Sequence, residues 1–544
     1  MSEIDLPDST ASAEEAGPVR FRPSVVKPLR LEAIAESLGV PAPDASADML
    51  VSGIALDSRG VEPGDLYAAL PGASRHGADF VADAVEAGAV AVLTDEAGAR
   101  MLALSSDIPV PVLITARPRN AVGPLAAMIY RSQPAAGGAP QLYGVTGTNG
   151  KTTTTYFLAS LLRALGHRTG LIGTIEILAG ADPVPSLLTT PESPDVHGLL
   201  ALMGERGLSA AAMEVSSHAI EFQRVDGVVF DVAGFTNLTQ DHLDLHGTME
   251  DYFATKAQLF TPERARSAVI TVDDEWGLRL AGSATVPVTM LATAPGTAAD
   301  WTVTATAPDG MGTRFSLAGP EGLTLSVRTG LPGTFNVANA ALAAVMVIAS
   351  GVEPAAVQAA LDRADPFAVA VPGRMELVCR EPAAVVDFAH NTDALARALE
   401  AVRPAADGAR TILVFGATGQ RDQGKRPAMG ATAARLADTV IVTDDDPHDE
   451  DAGAIRADVL AGAREAVQAG SLTSDVLEVF PRDEAIRRAV ALARPQDTIL
   501  VAGRGHEVWQ EVKGVNIALD DRVELRSALT ARGFNVLPDE RIES

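Results

Sequence analysis

Two hydrophobic patterns alternate along the chain: short aliphatic or β-branched runs, and longer stretches whose apolar positions recur every three or four residues. This alternation predicts buried strands linked by amphipathic helices, a mostly parallel α/β architecture. Near the start, Leu29–Leu38 reads as a short amphipathic helix closed by Gly39 and Pro41. Val51–Leu56, Asp65–Ala69, Ala89–Thr94 and Val110–Ile114 read as strands, several separated by Gly60, Pro63-Gly64 and Pro71-Gly72. After a Gly/Pro linker from Pro134 to Pro140 the pattern restarts, with a strand at Leu142–Val145 and a helical period over Tyr156–Leu165. Ala210–Val215 and Val228–Phe235 are further strands, and Thr334–Ser350 is a helix. A second series follows at Ala384–Phe388, Thr411–Phe415, Thr439–Thr443 and Thr498–Ala502. It lacks G-x-G-x-x-G, so dinucleotide binding is not supported.

Length and charge sharpen this picture. At 544 residues the chain exceeds a single core. Three domains are expected: a smaller N-terminal α/β domain at 25–140, a central mostly parallel domain at 141–372, and a C-terminal Rossmann-like, doubly wound domain at 373–544. Residues 1–24, with Glu3, Asp5, Asp8, Glu14 and Glu15, read as a disordered acidic tail without the basic start and apolar core of a signal peptide. No stretch of apolar residues is long enough to span a bilayer, so no membrane association is expected. The only cysteine, Cys379, excludes an internal disulfide and a cysteine-based metal cluster, and the cytoplasm is the expected compartment. A net charge of −27 disfavours nucleic-acid binding.

The stretch Leu142–Thr155, LYGVTGTNGKTTTT, carries the first chemistry. A strand, a glycine turn, Lys-Thr and a helix form a phosphate-cradling loop of the P-loop type. Gly147, Thr148, Asn149 and Gly150 point backbone N–H groups at phosphate oxygens, and the helix N-terminus adds partial positive charge. Lys151 reaches the terminal phosphates of a nucleotide, and the Thr152 hydroxyl, followed by Thr153, serves Mg²⁺. Val145 stands where the strict Walker pattern has glycine, so the loop is a variant. Glu214 and His242 each follow a strand expected beside the loop and are candidate Mg²⁺ ligands.

A longer set of motifs points to a family. They are G147-T-N-G-K-T-T, E214-V-S-S-H, F235-T-N-L-T-Q-D-H-L-D, Y252-F-A-T-K-A-Q-L-F, G333-T-F-N-V-A-N, P372-G-R-M-E, D387-F-A-H, G424-K-R-P and G503-R-G-H-E. Spread from about residue 50 to 510, they resemble the Mur ligases, the ATP-dependent amide-forming enzymes of peptidoglycan assembly. Within that family the chain looks most like members that add the third peptide residue to UDP-MurNAc-L-Ala-D-Glu.

The resemblance implies roles. Lys256 is expected to carry a CO₂-derived carbamate that holds a second Mg²⁺ alongside His242. Asn336 and Asn339 are expected near the nucleotide, with Arg374 and Asp387 closing on ATP and His390 in the same loop. Phe388, Asn391 and Thr392 depart from the common D-Y-A-H-T-P-D pattern, and Phe388 lacks the tyrosine hydroxyl. Ser58, Thr189, Thr190, Ser216 and Arg224 match positions that hold the UDP-sugar dipeptide. Arg421, Asp445, Asp446, His448, Gly503 and Glu507 match the amino-acid site.

Ligases taking meso-diaminopimelate commonly read D-N-P-R where this chain has Asp445-Asp446-Pro447-His448. With one cation lost and one anion gained, a distal carboxylate would meet a negative field without a partner. The expected amino acid is therefore L-lysine, then L-ornithine, with diaminopimelate the alternative. A P-loop NTPase switch is a separate alternative, one that does not require Lys256. A monomer is expected.

Overall fold

The computed structural model describes residues 22–43, 48–72, 74–104, 108–133, 140–180, 183–184, 190–470 and 472–538. The acidic tail as far as Phe21, Thr189 and most of the 134–140 linker lie outside the described residues. The chain is a three-domain α/β protein of two compact units, one comprising Met1–Gln141, Glu176–Ser209 and His218–Val229, the other Leu142–Ile175, Ala210–Ser217 and Phe230–Ser544.

In the first unit, Gly53–Ala55, Asp65–Ala68, Ala91–Thr94 and Val112–Ile114 form a four-stranded parallel sheet in chain order. The strand expected at Val51–Leu56 is split: Leu50–Val51 instead pairs antiparallel with Leu29–Arg30, so the first helix starts at Leu31. Helix Pro118–Tyr130 packs against Ser193–Glu205, a helix more than sixty residues on. Gly123 of the first helix permits close approach of the Asp226 segment, since a Cβ would sit 2.2 Å from the Asp226 carbonyl oxygen. Buried Ser132 and His197 join by a 2.7 Å hydrogen bond, and His197 Nε2 lies 2.9 Å from the same Asp226 carbonyl. Burial pulls His197 down to about 4, so the ring is a neutral core group.

The second unit holds two sheets. The central one runs Thr169–Ile172, Ala210–Glu214, Gln141–Thr146, Val232–Phe235, Ala268–Thr271 and Val288–Ala292, and is extended by Trp301–Asp309, Gly312–Ala318 and Thr324–Thr329. Its last three strands form an antiparallel meander. Helices Lys151–Ala164 and Thr334–Ala349 pack together against it. The latter is hydrophobic on nearly all sides, as an enclosed helix must be. The other sheet has six strands in the order Glu376–Arg380, Ala383–Asp387, Thr498–Ala502, Thr411–Phe415, Thr439–Val442 and Asp475–Glu478, all parallel except the first. A separate hairpin, Trp509–Val512 with Val515–Ala518, follows the strand Thr498–Ala502. Among the described residues no helix is long and apolar enough to cross a membrane.

Candidate active site

The phosphate loop forms where strand Gln141–Thr146 turns into helix Lys151–Ala164. The helix begins at Lys151 rather than Tyr156, because buried Thr152–Thr155 form its first turn despite low intrinsic propensity. Gly147 and Gly150 have φ of 146° and 92°, a region other residues rarely enter. Added Cβ atoms would fall 1.9 Å from Thr236 Oγ1 and 2.3 Å from Asn339 Oδ1. The loop is buttressed by the segment after strand Val232–Phe235. Thr148 N donates to the Asn237 carbonyl at 2.9 Å and Asn149 N to Asn237 Oδ1 at 3.0 Å. Thr236 Oγ1 and Asn237 Nδ2 donate to the Asn149 carbonyl at 2.7 and 3.1 Å. Thr236 and Asn237 stand in a motif the sequence displays, but nothing in it assigns them this supporting task.

Two lysines converge on one carbonyl. Lys151 Nζ donates to the carbonyl oxygens of Gly147 and Thr148 at 3.0 and 2.8 Å, and Lys256 Nζ to that of Gly147 at 2.9 Å. Lys256 comes from helix Met249–Ala257, is 1 % exposed, and lies over the Tyr252 ring at 4.5 Å. His246 stacks on that ring at 4.9 Å, and His242 meets its edge at 6.3 Å. Burial first, then the Lys151 charge, pushes the Lys256 amine well below its usual range, against the pull of Asp241. Burial also lowers Lys151, opposed by Glu214 and Asp241.

Glu214 is fully buried at the end of its strand. Its Oε2 accepts from Thr152 Oγ1 at 2.9 Å and Thr174 Oγ1 at 3.0 Å, and its Oε1 from Thr174 N at 2.8 Å. The Thr152 hydroxyl and Glu214 carboxylate are therefore together, as Mg²⁺ binding beside nucleotide phosphates requires. Among the described residues no three His, Cys, Asp or Glu side chains cluster as a metal site, so protein carboxylates and imidazoles alone supply no cage. His242 has a left-handed backbone, φ 53°, and its Nε2 lies 3.9 Å from Asp241 Oδ2. Burial acts to raise Asp241, but His390 at 3.7 Å, His242 and Lys425 outweigh it and hold the carboxyl well below its usual range.

The nucleotide candidates from further along the chain also assemble. Asn336 and Asn339 are buried in the first turns of their helix, joined by a 3.0 Å hydrogen bond, with Thr154 Oγ1 3.4 Å from Asn339 Oδ1. Arg374 lies 4.2 Å over the Phe388 ring and donates to His506 Nδ1 at 3.3 Å. Phe388 thus offers a cation–π face where the usual tyrosine would add a hydroxyl. Burial, with Arg374 next, pulls His506 down to about 2, which leaves Nδ1 free to accept. Asp387 accepts from Met375 N at 2.7 Å and Ala389 N at 2.9 Å, and burial raises its carboxyl against the opposing Arg374 charge. Asn391 caps helix Thr392–Ala401 and donates to Asp241 Oδ2 at 3.3 Å, while Asn149 Nδ2 lies 3.3 Å from Asp393 Oδ2. These links tie the phosphate loop to the C-terminal sheet's helix, and no local sequence pattern announces them.

Of the sugar-dipeptide candidates, Ser58, Thr190 and Arg224 belong to the first unit and Ser216 to the second. Ser58 opens a short turn capped by Asp57, and Thr190 is fully buried. Arg224 Nε and Arg119 Nη2 grip the Glu192 carboxylate at 2.9 and 2.6 Å.

The loop Asp445–His448 corrects one expectation. Asp446 is not an unpaired anion. It bonds to the fully buried guanidinium of Arg504, whose other terminal nitrogen bonds to the Trp509 carbonyl. The expected negative field is partly neutralised by this residue, which sits inside the G-R-G-H-E motif. Burial acts to raise Asp445, but Arg482 and Arg504 outweigh it and the carboxyl lies below its usual range. A Cβ on Gly503, φ 115°, would sit 2.6 Å from Asp445 Oδ2. Burial, with Asp445 and Asp446 nearby, pushes Glu507 up to about 8. Arg421 is exposed and makes no hydrogen bond or ion pair within the described residues.

Comparison with known proteins agrees with this geometry over nearly the whole chain. Residues 50–128 match the Mur ligase family catalytic domain, 145–347 the Mur ligase middle domain, and 373–505 the Mur ligase glutamate ligase domain. The UDP-N-acetylmuramoyl-L-alanyl-D-glutamate–2,6-diaminopimelate ligase of Streptomyces avermitilis is 46% identical over 513 residues, covering 93% of this chain and 98% of that protein. The UDP-N-acetylmuramyl-tripeptide synthetase of Leifsonia xyli is 46% identical over 486 residues, covering 89% and 92%. A solved structure of a UDP-N-acetylmuramoyl-L-alanyl-D-glutamate–2,6-diaminopimelate ligase superposes with a TM-score of 0.63 at 29% identity, over 92% of this chain and 99% of that one. With all three domains matched and the phosphate loop, Glu214 and Lys256 brought together, the chain belongs to the Mur ligase family.

Proposed function

We propose that the protein is an ATP-dependent ligase that joins an amino acid to the D-Glu γ-carboxylate of UDP-MurNAc-L-Ala-D-Glu during peptidoglycan precursor synthesis. The observation that carries this reading is Lys256, a second buried lysine on the Gly147 carbonyl beside Lys151. A P-loop NTPase switch needs no such residue. Burial favours the unprotonated amine, which is nucleophilic, and its attack on CO₂ with loss of a proton gives a carbamate. Carbamylation would place an anion beside His242. Thr152 and Glu214 would then hold one Mg²⁺, and the carbamate and His242 a second. When bound, these ions offset the negative charge of the reacting phosphates and carboxylate.

The chain's own groups do the rest. Gly147–Thr153 cradle the ATP phosphates, Lys151 turns from its loop carbonyls to the terminal phosphates, and Asn336, Asn339, Arg374 and Asp387 bound the nucleotide. Residues 25–140, with Ser58, Thr189, Thr190, Ser216 and Arg224, orient the UDP-sugar dipeptide. The γ-carboxylate oxygen attacks the γ-phosphorus, and ADP leaves. The α-amine of the incoming amino acid, having lost a proton, attacks the acyl carbon of the resulting acyl phosphate, and inorganic phosphate leaves. Residues 373–544 supply the amino-acid site and limit loss of the acyl phosphate to water.

For the amino acid, meso-diaminopimelate takes first place. The Streptomyces avermitilis relative is named for 2,6-diaminopimelate, and Arg504 removes much of the electrostatic objection to a distal carboxylate. L-Lysine, then L-ornithine, is the second reading, favoured by His448 at the position expected to carry arginine. ADP release should require both UDP-MurNAc-L-Ala-D-Glu and an amino acid; release without them sinks the ligase reading. Competition of meso-diaminopimelate, L-lysine and L-ornithine at equal concentration decides the substrate, and preference for either basic amino acid overturns diaminopimelate.

A further inference from the structure

The buried carboxylate of Glu214 sits in a seat built by the residues that follow the neighbouring strand. Ala210–Glu214 runs parallel to Thr169–Ile172 with Met213 opposite Ile172, so Glu214 lies beside Gly173 and Thr174. Gly173 supplies the space, since a Cβ there would fall 2.5 Å from Glu214 Oε1. Thr174 supplies the donors. Its N–H reaches Oε1 at 2.8 Å and its hydroxyl reaches Oε2 at 3.0 Å, one bond to each carboxylate oxygen. A hold at both oxygens fixes the carboxylate plane, which a single bond would leave free to turn.

The plane matters because of what else Oε2 touches. It accepts from Thr152 Oγ1 at 2.9 Å, in the first turn of the phosphate-loop helix. A hydroxyl that donates its proton to a carboxylate keeps its oxygen lone pairs for an ion. Mg²⁺ demands near-ideal octahedral geometry, so a carboxylate turned out of place costs affinity for it. The Thr174 backbone also bonds His506, whose Nδ1 accepts from Arg374 at 3.3 Å. The hydroxyl and the backbone of Thr174 thus serve different partners. A change confined to the hydroxyl tests the carboxylate without removing the link to Arg374.

We infer that Thr174 is a positioning residue, whose N–H and hydroxyl orient Glu214 toward Thr152 so that the two present their oxygens to Mg²⁺. The inference rests on the nucleotide and Mg²⁺ reading above and deepens it, by naming the residue that sets the orientation of the carboxylate. No pattern in the sequence singles out Thr174; its place follows from the register of two parallel strands. Outer hydrogen bonds to a metal-binding side chain typically change metal affinity by roughly 10- to 100-fold when removed.

The test uses the full chain and reads the Mg²⁺ requirement of ADP binding by isothermal titration calorimetry, with no turnover. Thr174→Val removes the hydroxyl and keeps the shape and the backbone. It should raise the Mg²⁺ concentration that half-maximally tightens ADP binding by about tenfold, while ADP affinity in EDTA stays within about twofold of wild type. Thr174→Ser keeps the hydroxyl and should recover most of the loss. In turnover assays the deficit of Thr174→Val should shrink as Mg²⁺ is raised, with the KM for UDP-MurNAc-L-Ala-D-Glu within about twofold of wild type. If Thr174→Val does not fold, Thr174→Ala carries the same expectation. Thr169→Val, at the start of the same strand, should change neither constant. An unchanged Mg²⁺ requirement, an equal loss of ADP affinity with and without Mg²⁺, or a Thr174→Ser variant as impaired as Thr174→Val would each overturn the inference. Wild-type ADP binding that is indifferent to Mg²⁺ overturns the metal reading itself.

Discussion

The phosphate loop and the loop Asp445–His448 are both short segments following parallel strands, yet they obtain their shapes in opposite ways. Gly147, Gly150, Lys151 and Thr152 lie within six consecutive residues, and the glycine dihedrals and helix start are local properties. Asp445, Asp446 and His448 also lie close together, but the groups that face them, Arg482, Arg504 and Glu511, come from later segments. A local motif states what its residues do. A loop of ionisable groups does not, because an anion's effect depends on which cation is buried against it.

The largest expected effect breaks the phosphate-loop side of this comparison. Lys151→Ala should lower kcat by about 10³-fold or more while the thermal unfolding midpoint stays close to wild type. Near-wild-type turnover would remove the loop from the reaction. Next, Lys256→Ala should be inactive and partly restored by added short carboxylates such as formate or acetate, which replace the carbamate. Here an essential residue is local in its motif but tertiary in its chemistry, since burial beside Lys151 lowers the amine's hold on its proton. Full activity without rescue would refute the carbamate.

A smaller effect tests the C-terminal side. Glu507 is raised from 4.5 in the unfolded chain to about 8 by burial and its acidic neighbours. The folded state then binds the extra proton between these values, so this residue's contribution is present below about pH 4.5 and is lost as pH rises towards 8. Wild-type stability should fall across that window more steeply than that of Glu507→Gln, by an amount damped by the side chain's partial exposure. Parallel pH–stability curves from urea unfolding would contradict the raised value. The smallest effect is expected from deleting residues 1–20, which belong to neither loop. Catalytic efficiency should stay within about twofold of the full chain. A large loss would show that the acidic stretch serves one of the two sites.

Much of the framework was legible. The strands Thr411–Phe415 and Thr498–Ala502 lie where their apolar runs predict, and the others differ by a few residues at their ends. Larger departures have tertiary causes. Ser52 separates two short strands because Leu50–Val51 finds its partner in Leu29–Arg30. Segments 176–209 and 218–229 group with the first compact unit although they follow the phosphate loop in sequence. Hydrophobic periodicity reports which face is buried and says nothing about which distant element buries it.

The sequence by itself determined the alternation of strands and helices, the phosphate loop and the family motifs, because steric preference, glycine freedom and helix-end polarity act within a few residues. Tertiary structure alone decided that two lysines share the Gly147 carbonyl, that Arg374 lies over Phe388 rather than meeting a tyrosine hydroxyl, that Asn391 reaches Asp241, and that Arg504 holds Asp446 while Glu511 holds His448. Each is a charge or hydrogen-bond state set by desolvation and by neighbours distant in sequence, and those exist only once the chain has folded.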